Sequence, residues 1–534
     1  MKFFSSLAKQ ALFATALTSS MVLVSCEDHR MSPTEQSLPD RMFWALSDDN
    51  KIHQINVKNT TTPLKSLTVT GLVAGDMLAG IDFRPATGQL YAISKQGNLY
   101  QISLIAGATE GRATRIGDAP LATALSGANI GFDFNPTVDK IRVTTSSTQN
   151  LRVHPETGVI VATDLVLKGY SNPQIGAVAY TNSRAGVTAA PGVGTALYDI
   201  DPTTDQLYLQ TPPNDGGLVA VGSRFDIDIE DVGGFDISPD VNASDVYPIA
   251  SVKYQGKWEL DHVNLTTGKL QKLGDFPAGV NVIGIAIPSL PVAYALDGVN
   301  GLRIFNPTTG ASYGSKAIMG IPTGVLLAGI DIRPVNGRLY ALGMNSKIYS
   351  IDLGSGMASE AATLKLANGT PVMLNGTIFG VDFNPVADRL RVVSETGQNL
   401  RINVAPGEMN GVTVVDGQLN ITGSALSPFV TAGAYTNSYP GASATTLFDI
   451  DSQSNLLYTQ APPNDGSLAQ PKNLNLDVDS NIGFDIGNAS GVGYGIFTVG
   501  GVTNFYSVDL ATGAVSMKFT YPGSVKGLAL GFGL

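Results

Sequence analysis

The chain is written twice, and that duplication constrains its fold more than any other feature. Gly80-Ile81-Asp82-Phe83-Arg84-Pro85, followed by Leu90-Tyr91-Ala92, returns as Gly329-Ile330-Asp331-Ile332-Arg333-Pro334, followed by Leu339-Tyr340-Ala341. Asp133-Phe134-Asn135-Pro136, Arg142-Val143 and Gln149-Asn150-Leu151-Arg152 return as Asp382-Phe383-Asn384-Pro385, Arg391-Val392 and Gln398-Asn399-Leu400-Arg401. Leu197 to Gly216 matches Leu447 to Gly466, ending both times in Pro-Pro-Asn-Asp-Gly. Two homologous halves must therefore share one fold.

Inside each half a shorter period of roughly 40 to 50 residues runs, the spacing of four-stranded propeller blades. Its signature is Gly, an apolar residue, Asp, another apolar residue and a Pro soon after, opening at Gly80, Gly131 and Gly234, with Ile175 to Asn182 as a divergent copy. Short alternating segments follow, parted by Gly, Asn or Thr-Gly turns, and none has a sustained helical period. Four blades begin near Gly80, Gly131, Gly176 and Gly234. Three N-terminal strands, Met42–Leu46, Lys51–Val57 and Leu64–Val69, lack an inner partner, which Val282–Ile287 supplies. The second half repeats this with strands from Val292 to Met319 and Val525–Leu530. Closing a blade with both ends of a half removes an exposed sheet edge. The expectation is an all-β protein of two tandem five-bladed β-propellers, 42–289 and 290–534, with one ten-bladed ring as the alternative.

Residues 1–25 read as a signal peptide: Lys2 and Lys9, an apolar run from Ala11 to Val24, then Leu23-Val24-Ser25-Cys26. This resembles a bacterial lipobox, which makes Cys26 the lipidation site. Residues 26–41 hold Pro33 and Pro39 among polar neighbours and read as a flexible tether. The acidic Glu27 and Asp28 after the cysteine resemble the surface-export signal of Bacteroidetes lipoproteins. The partner expected from this is a membrane, held through acyl chains, and the expected address is a bacterial cell envelope, on the outer membrane at its periplasmic side or cell surface.

The 33 Lys and Arg stand against 44 Asp and Glu, a net charge of −11 without a basic block, so nucleic acid is not expected as a partner. Cys26 is the sole cysteine, and the four histidines, His29, His53, His154 and His262, all precede the second half. The positions aligned with His53, His154 and His262 hold Arg303, Asn403 and Ser507 there. A histidine triad or zinc site common to both halves is thereby excluded, and no catalytic set, metal site or cofactor is assigned.

The repeated Gly-Ile-Asp-[Phe/Ile]-Arg-Pro, Asp-Phe-Asn-Pro and Gln-Asn-Leu-Arg motifs resemble the bacterial propeller-like family DUF4394, in two copies behind the lipoprotein signal. That resemblance implies the fold and brings no reaction or catalytic residue.

Asp82, Asp133 and Asp236, with Asp331, Asp382 and Asp485, fall on the expected inner strands. Clustered carboxylates suit calcium or glycosidic acid–base chemistry; repetition blade after blade favours a hydrogen-bonding role toward the following turn. Calcium stays open as a ligand, at these carboxylates, at Asp199-Ile200-Asp201 or at its copy Asp449-Ile450-Asp451. Asp226-Ile227-Asp228-Ile229-Glu230-Asp231 alternates as a half-buried strand would. Pro212 to Gly216 and Pro462 to Gly466 read as rigid turns. The candidate recognition set is Arg142, Gln149, Asn150 and Arg152, with Arg391, Gln398, Asn399 and Arg401, because guanidinium forks and amides match carboxylate, phosphate or sugar hydroxyls; the competing role is bridging blades through Asp139 or Asp133. The function expected is a lipid-anchored envelope protein acting as a binding or scaffold module for a glycan or protein ligand. The alternative is a carbohydrate-active, glycosidase-like enzyme using channel carboxylates.

Overall fold

The structure is a computed structural model that describes Arg30 and residues 38–190, 194–239 and 245–534. Cys26, His29 and most of the tether lie outside the described residues. The described chain is all-β, with two single-turn 3-10 segments at Pro213–Asp215 and Pro463–Asp465. No described helix is long and apolar enough to cross a membrane.

Ten antiparallel sheets follow one another, and each draws its strands from one half. In the first half, blade one joins Met42–Ser47, Lys51–Asn56 and Lys65–Thr68 to the late strand Val282–Ala286; the other four blades run Leu78–Ile116, Ile130–Thr163, Ala177–Ala220 and Asp231–Asp275. The second half repeats this: Ala293–Ala317 is closed by Gly527–Leu530, and blades follow at Leu327–Thr363, Phe379–Val415, Val430–Asn473 and Gly483–Thr520. In the fourth blade of that half, a two-residue strand at Asn420–Ile421 pairs parallel to the outer strand and makes a fifth member.

The inner strand of each blade packs on the next, and the inner strand of blade five returns to that of blade one in the same half. The ten blades therefore form two cycles of five rather than one of ten. Apolar side chains fill the seams between neighbouring blades, as where Tyr91, Ile93 and Leu99 of blade two meet Phe132, Phe134 and Val143 of blade three. Glycine opens the inner strands because neighbours leave no room: a Cβ on Gly234 would stand 2.3 Å from the Ile285 nitrogen.

The stretch Asp226–Asp231 alternates as expected, with Phe225, Ile227 and Ile229 buried and the acids between them facing out. It is nonetheless an extended connection up to Glu230, because the Ile229 N–H is satisfied by the Asp205 side chain rather than by a strand. The tether range also differs from expectation at one point. Arg30 is buried against blade five, within 2.5 Å of Glu259 and 2.6 Å of Asp261.

Candidate functional site

Three places concentrate polar chemistry, and two of them occur in both halves. The first is the axis. Asp82, Asp133 and Asp236 bring carboxylate oxygens within 4.8 Å of one another, as do Asp331, Asp382 and Asp485. They satisfy backbone rather than the following turn. Asp82 accepts from the Phe83 and Phe134 N–H groups, Asp133 from Tyr180, and Asp236 from Ile237 and Ile287.

The five N–H groups thus served belong one to each blade, and only three blades carry Asp, because Ala179 and Ala286 occupy the matching place in the other two. In a blade that follows an Asp blade, the N–H is taken by the preceding carboxylate. Where the preceding blade carries Ala, the Asp turns one oxygen back to its own strand. Asp331 serves Ile332 and Phe383, Asp382 serves Tyr435, and Asp485 serves Ile486 and Leu530, the same wiring in the second half. Burial raises all six carboxyls, Asp236 and Asp485 to about 7, and facing carboxylates push Asp82, Asp133, Asp331 and Asp382 up further. None is more than 4 % exposed, and the void along each axis is about 10 Å³, room for about one water. A sugar has no approach to these carboxylates.

The second place is the sequence-predicted recognition set. Arg142 is 1 % exposed and its guanidinium is spent within the fold, donating to Asn150 at 2.6 Å, Asp164 at 2.6 Å, Asn214 at 2.8 Å and the Tyr180 hydroxyl at 3.2 Å. Arg391 repeats this on Asn399, Asp416, Asn464 and Tyr435. Asp164 and Asp416, rather than Asp139 or Asp133 and their copies, are the acidic partners. Each also receives a two-pronged bond from the more exposed Arg152 or Arg401.

Asn150 and Asn399 donate onward to Pro213 and Pro463, and Gln149 and Gln398 tie down the Ala124 and Met373 carbonyls. The Pro-Pro-Asn-Asp-Gly turn is therefore the receiving end of a bond between blades three and four. Gly216 has φ 66°, and a Cβ there would stand 2.2 Å from the Val166 carbonyl, so the turn admits only glycine. Behind this bond lie Asp199 and Asp449, fully buried with no hydrogen-bond partner for either carboxylate oxygen among the described residues. Burial outweighs the nearby arginines and raises both carboxyls, Asp449 to about 8. Asp201, by contrast, accepts from Thr203, Gln174 and Tyr170.

The third place arises only where the halves meet. On one side of that seam Arg84, fully buried, holds Asp139 and Glu156 and donates to the Gly337 carbonyl at 3.0 Å, while Arg338 reaches Glu156 at 2.6 Å and Lys140 reaches Asp352 at 3.0 Å. Ala86 and Ala185 join the apolar core around Tyr294 and Leu339. On the other side the halves leave a cleft of about 310 Å³. Trp44, Gln54, Gln89, Gln101 and Leu104 line it from the first half, Ser289 from the connection, and Tyr439, Asn488 and Phe532 from the second.

Four polar atoms in this lining are buried without a hydrogen-bond partner among the described residues: Gln89 Nε2, Gln101 Oε1, Ser289 Oγ and Asn488 Oδ1. Sequence reasoning missed all four. The signal was present as difference rather than repetition, since Gln89 aligns with Arg338 and Gln101 with Ser350 inside otherwise matching motifs. A further cavity of about 330 Å³ opens at the mouth of the first axis, lined by Asp48, Lys95, Asp231, Lys253 and Trp258. Its carboxylates Asp48 and Asp231 are already bonded by Asn281 and Asn129.

Residues 51–286 and 301–529 each match the family described as Domain of unknown function (DUF4394), and the chain belongs to that family. No curated protein matches it.

Proposed function

We propose that this two-copy member of DUF4394 is a lipid-anchored binding protein of a bacterial envelope, placed on the outer membrane through Cys26 and taking its ligand at the cleft between its halves. The observation that carries the binding reading is the cluster of unspent polar atoms that lines one cleft. The repeated axial carboxylates and arginines are consumed in bonding blade to blade. In the cleft, four buried polar atoms wait without partners, and desolvated groups of that kind cost about 1–3 kcal/mol each unless something bonds them. The sequence around Cys26 supports the anchor. The glycosidase alternative gains nothing from the axis, whose carboxylates are closed off from solvent and already accept backbone N–H groups.

The anchor is tested by metabolic labelling with a fatty acid. Label should enter the native chain and be absent from Cys26→Ala; label persisting in the variant overturns the lipoprotein assignment. Binding is tested by screening the detergent-extracted full chain for compounds that raise its thermal midpoint, since a ligand selective for the native state stabilises it by mass action. A hit that Tyr439→Ala abolishes places binding in the cleft, and a hit that this variant leaves untouched removes it from there.

A further inference from the structure

The cleft between the halves has a chemistry of its own, and it specifies a ligand. Resting on the binding role proposed above, we infer that it takes a small neutral saccharide or a closely similar polyol. Charge comes first. The charged side chains of the lining are Lys65 and Glu110, and they form an ion pair with each other, so neither is free for a ligand charge. An anionic or cationic ligand would have to break that pair without another counter-ion to receive it.

Hydrogen-bond character comes second. Gln89 Nε2 is a donor, Gln101 Oε1 and Asn488 Oδ1 are acceptors, and Ser289 Oγ can be either. Gln89 and Gln101 are each 5 % exposed, so these amides were taken out of water by the fold and not by chance at a surface. The Gln89 carbonyl oxygen is occupied, because the Thr87 hydroxyl donates to it at 3.0 Å, and this turns Nε2 into the free end. A hydroxyl both donates and accepts, so a ligand carrying several of them can meet donor and acceptor positions at once.

Shape and apolar surface come third. Trp44, Leu90, Ile102, Leu104, Ile105, Tyr439 and Phe532 supply apolar and aromatic walls around the polar atoms. A sugar ring offers the matching pair of surfaces, C–H faces for the walls and hydroxyl edges for the amides. The volume of about 310 Å³ lies at the small end of ligand pockets, roughly 300–1,000 Å³, and that selects one or two sugar rings over a long chain.

The seam on the other side of the molecule is built differently. There Arg338 stands where Gln89 stands here and bonds Glu156, and the halves leave a wider cavity of about 800 Å³ whose polar lining is charged, with Lys140, Arg152, Lys316 and Asp352. The Ser183–Gly186 loop packs on Tyr313 there, with Gly186 against the Tyr313 backbone and Arg184 5.7 Å over its ring. The aligned loop here, Ser438–Gly441, stands beside Thr109 and Arg112 and borders the cleft with Tyr439 and Pro440.

The test uses the full chain in detergent with two panels. One holds neutral saccharides: glucose, galactose, mannose, xylose and their disaccharides. The other holds charged relatives: glucuronate, glucosamine and glucose 6-phosphate. The readouts are calorimetric titration and the fluorescence of Trp44 in a Trp258→Phe background, which leaves Trp44 as the sole tryptophan. At least one neutral sugar should bind and change Trp44 emission. Gln101→Leu should weaken it about tenfold or more without lowering the thermal midpoint of the free protein, since it removes an amide atom with no partner in the fold; Gln89→Leu should weaken binding likewise and also lower the midpoint, since it takes the acceptor from the Thr87 hydroxyl. Binding confined to the charged panel would overturn the ligand class and leave the binding role standing. Neutral-sugar binding indifferent to both Gln variants would overturn the site. Silence in both panels, with some other compound raising the midpoint in a manner sensitive to Tyr439→Ala, would overturn the saccharide alone.

Discussion

The two halves are built from the same bonds yet meet each other through different residues. Within each half, three carboxylates serve five backbone N–H groups in one pattern, and an arginine on blade three reaches the same four partners; distances differ between copies by at most 0.2 Å at that arginine. At the seam the equivalences fail: Arg84 is fully buried with two acidic partners, whereas Arg333 holds Asp388, whose side chain is 34 % exposed. A duplicated chain keeps what each copy needs to close and is free to diverge where the copies touch.

The sharpest test of the equal part is to remove the blade-three arginines. Arg142→Ala and Arg391→Ala each strip two amide oxygens and a tyrosine hydroxyl of their donor and leave Asp164 or Asp416 with one arginine instead of two, and each should cost about 3–5 kcal/mol in chemical denaturation. A large loss in one half and a small one in the other would break the equivalence. The unequal part is tested next: Arg84→Ala should cost about 3 kcal/mol, and Arg333→Ala, with its half-exposed partner, about 1 kcal/mol. Equal effects would show that the seam adds nothing to Arg84.

Within each axial triad, two substitutions of the same kind should act in opposite directions. Asp82 uses both oxygens on N–H groups, so Asp82→Asn presents an amide N–H to a backbone N–H and should destabilise by about 1–3 kcal/mol. Asp133 spends one oxygen on Tyr180 and faces two other carboxylates. Asp133→Asn keeps that acceptor and adds a donor toward them, so it should stabilise at pH 7 by about 1 kcal/mol, with Asp382→Asn doing likewise in the second half.

The pH dependence tests the axis without any substitution. Asp236 and Asp485 move from an ordinary value of 3.8 to about 7 on folding. Their protonated forms are therefore favoured in the native state, and this contribution is complete below about pH 4 and is lost as the pH rises through about 7. The thermal midpoint of the native chain should fall across that window, and the fall should be shallower in the Asp133→Asn, Asp382→Asn double variant. A midpoint rising from pH 5 to pH 8 would contradict the assignment.

Much of this architecture was legible in the sequence because a propeller-like blade is a local unit: Gly, Asp and Pro recur where an inner strand begins and turns, and repetition marked them. The partners of the arginines were not legible, since Asp164 and Asp416 sit in connections just after the fourth strands of their sheets without a repeated motif around them. The axial wiring was half legible. The Asp positions repeat, but the rule that an Ala blade turns the next carboxylate back on its own strand depends on neighbours across the cycle. The cleft was invisible to any search for repetition, because it is made from unmatched residues of two halves hundreds of positions apart, Gln89 and Asn488 among them.

Arg30 gives the proposed anchor a mechanical meaning. It stands four positions after Cys26, a reach on the order of 14 Å when fully drawn out, and its guanidinium is locked into blade five by Glu259 and Asp261. A lipid on Cys26 would therefore moor the first half close against the bilayer by one edge, instead of letting the molecule swing on the whole stretch up to Arg41. The second half would ride outboard, and any drag on it would be transmitted to the membrane through the seam that also frames the cleft.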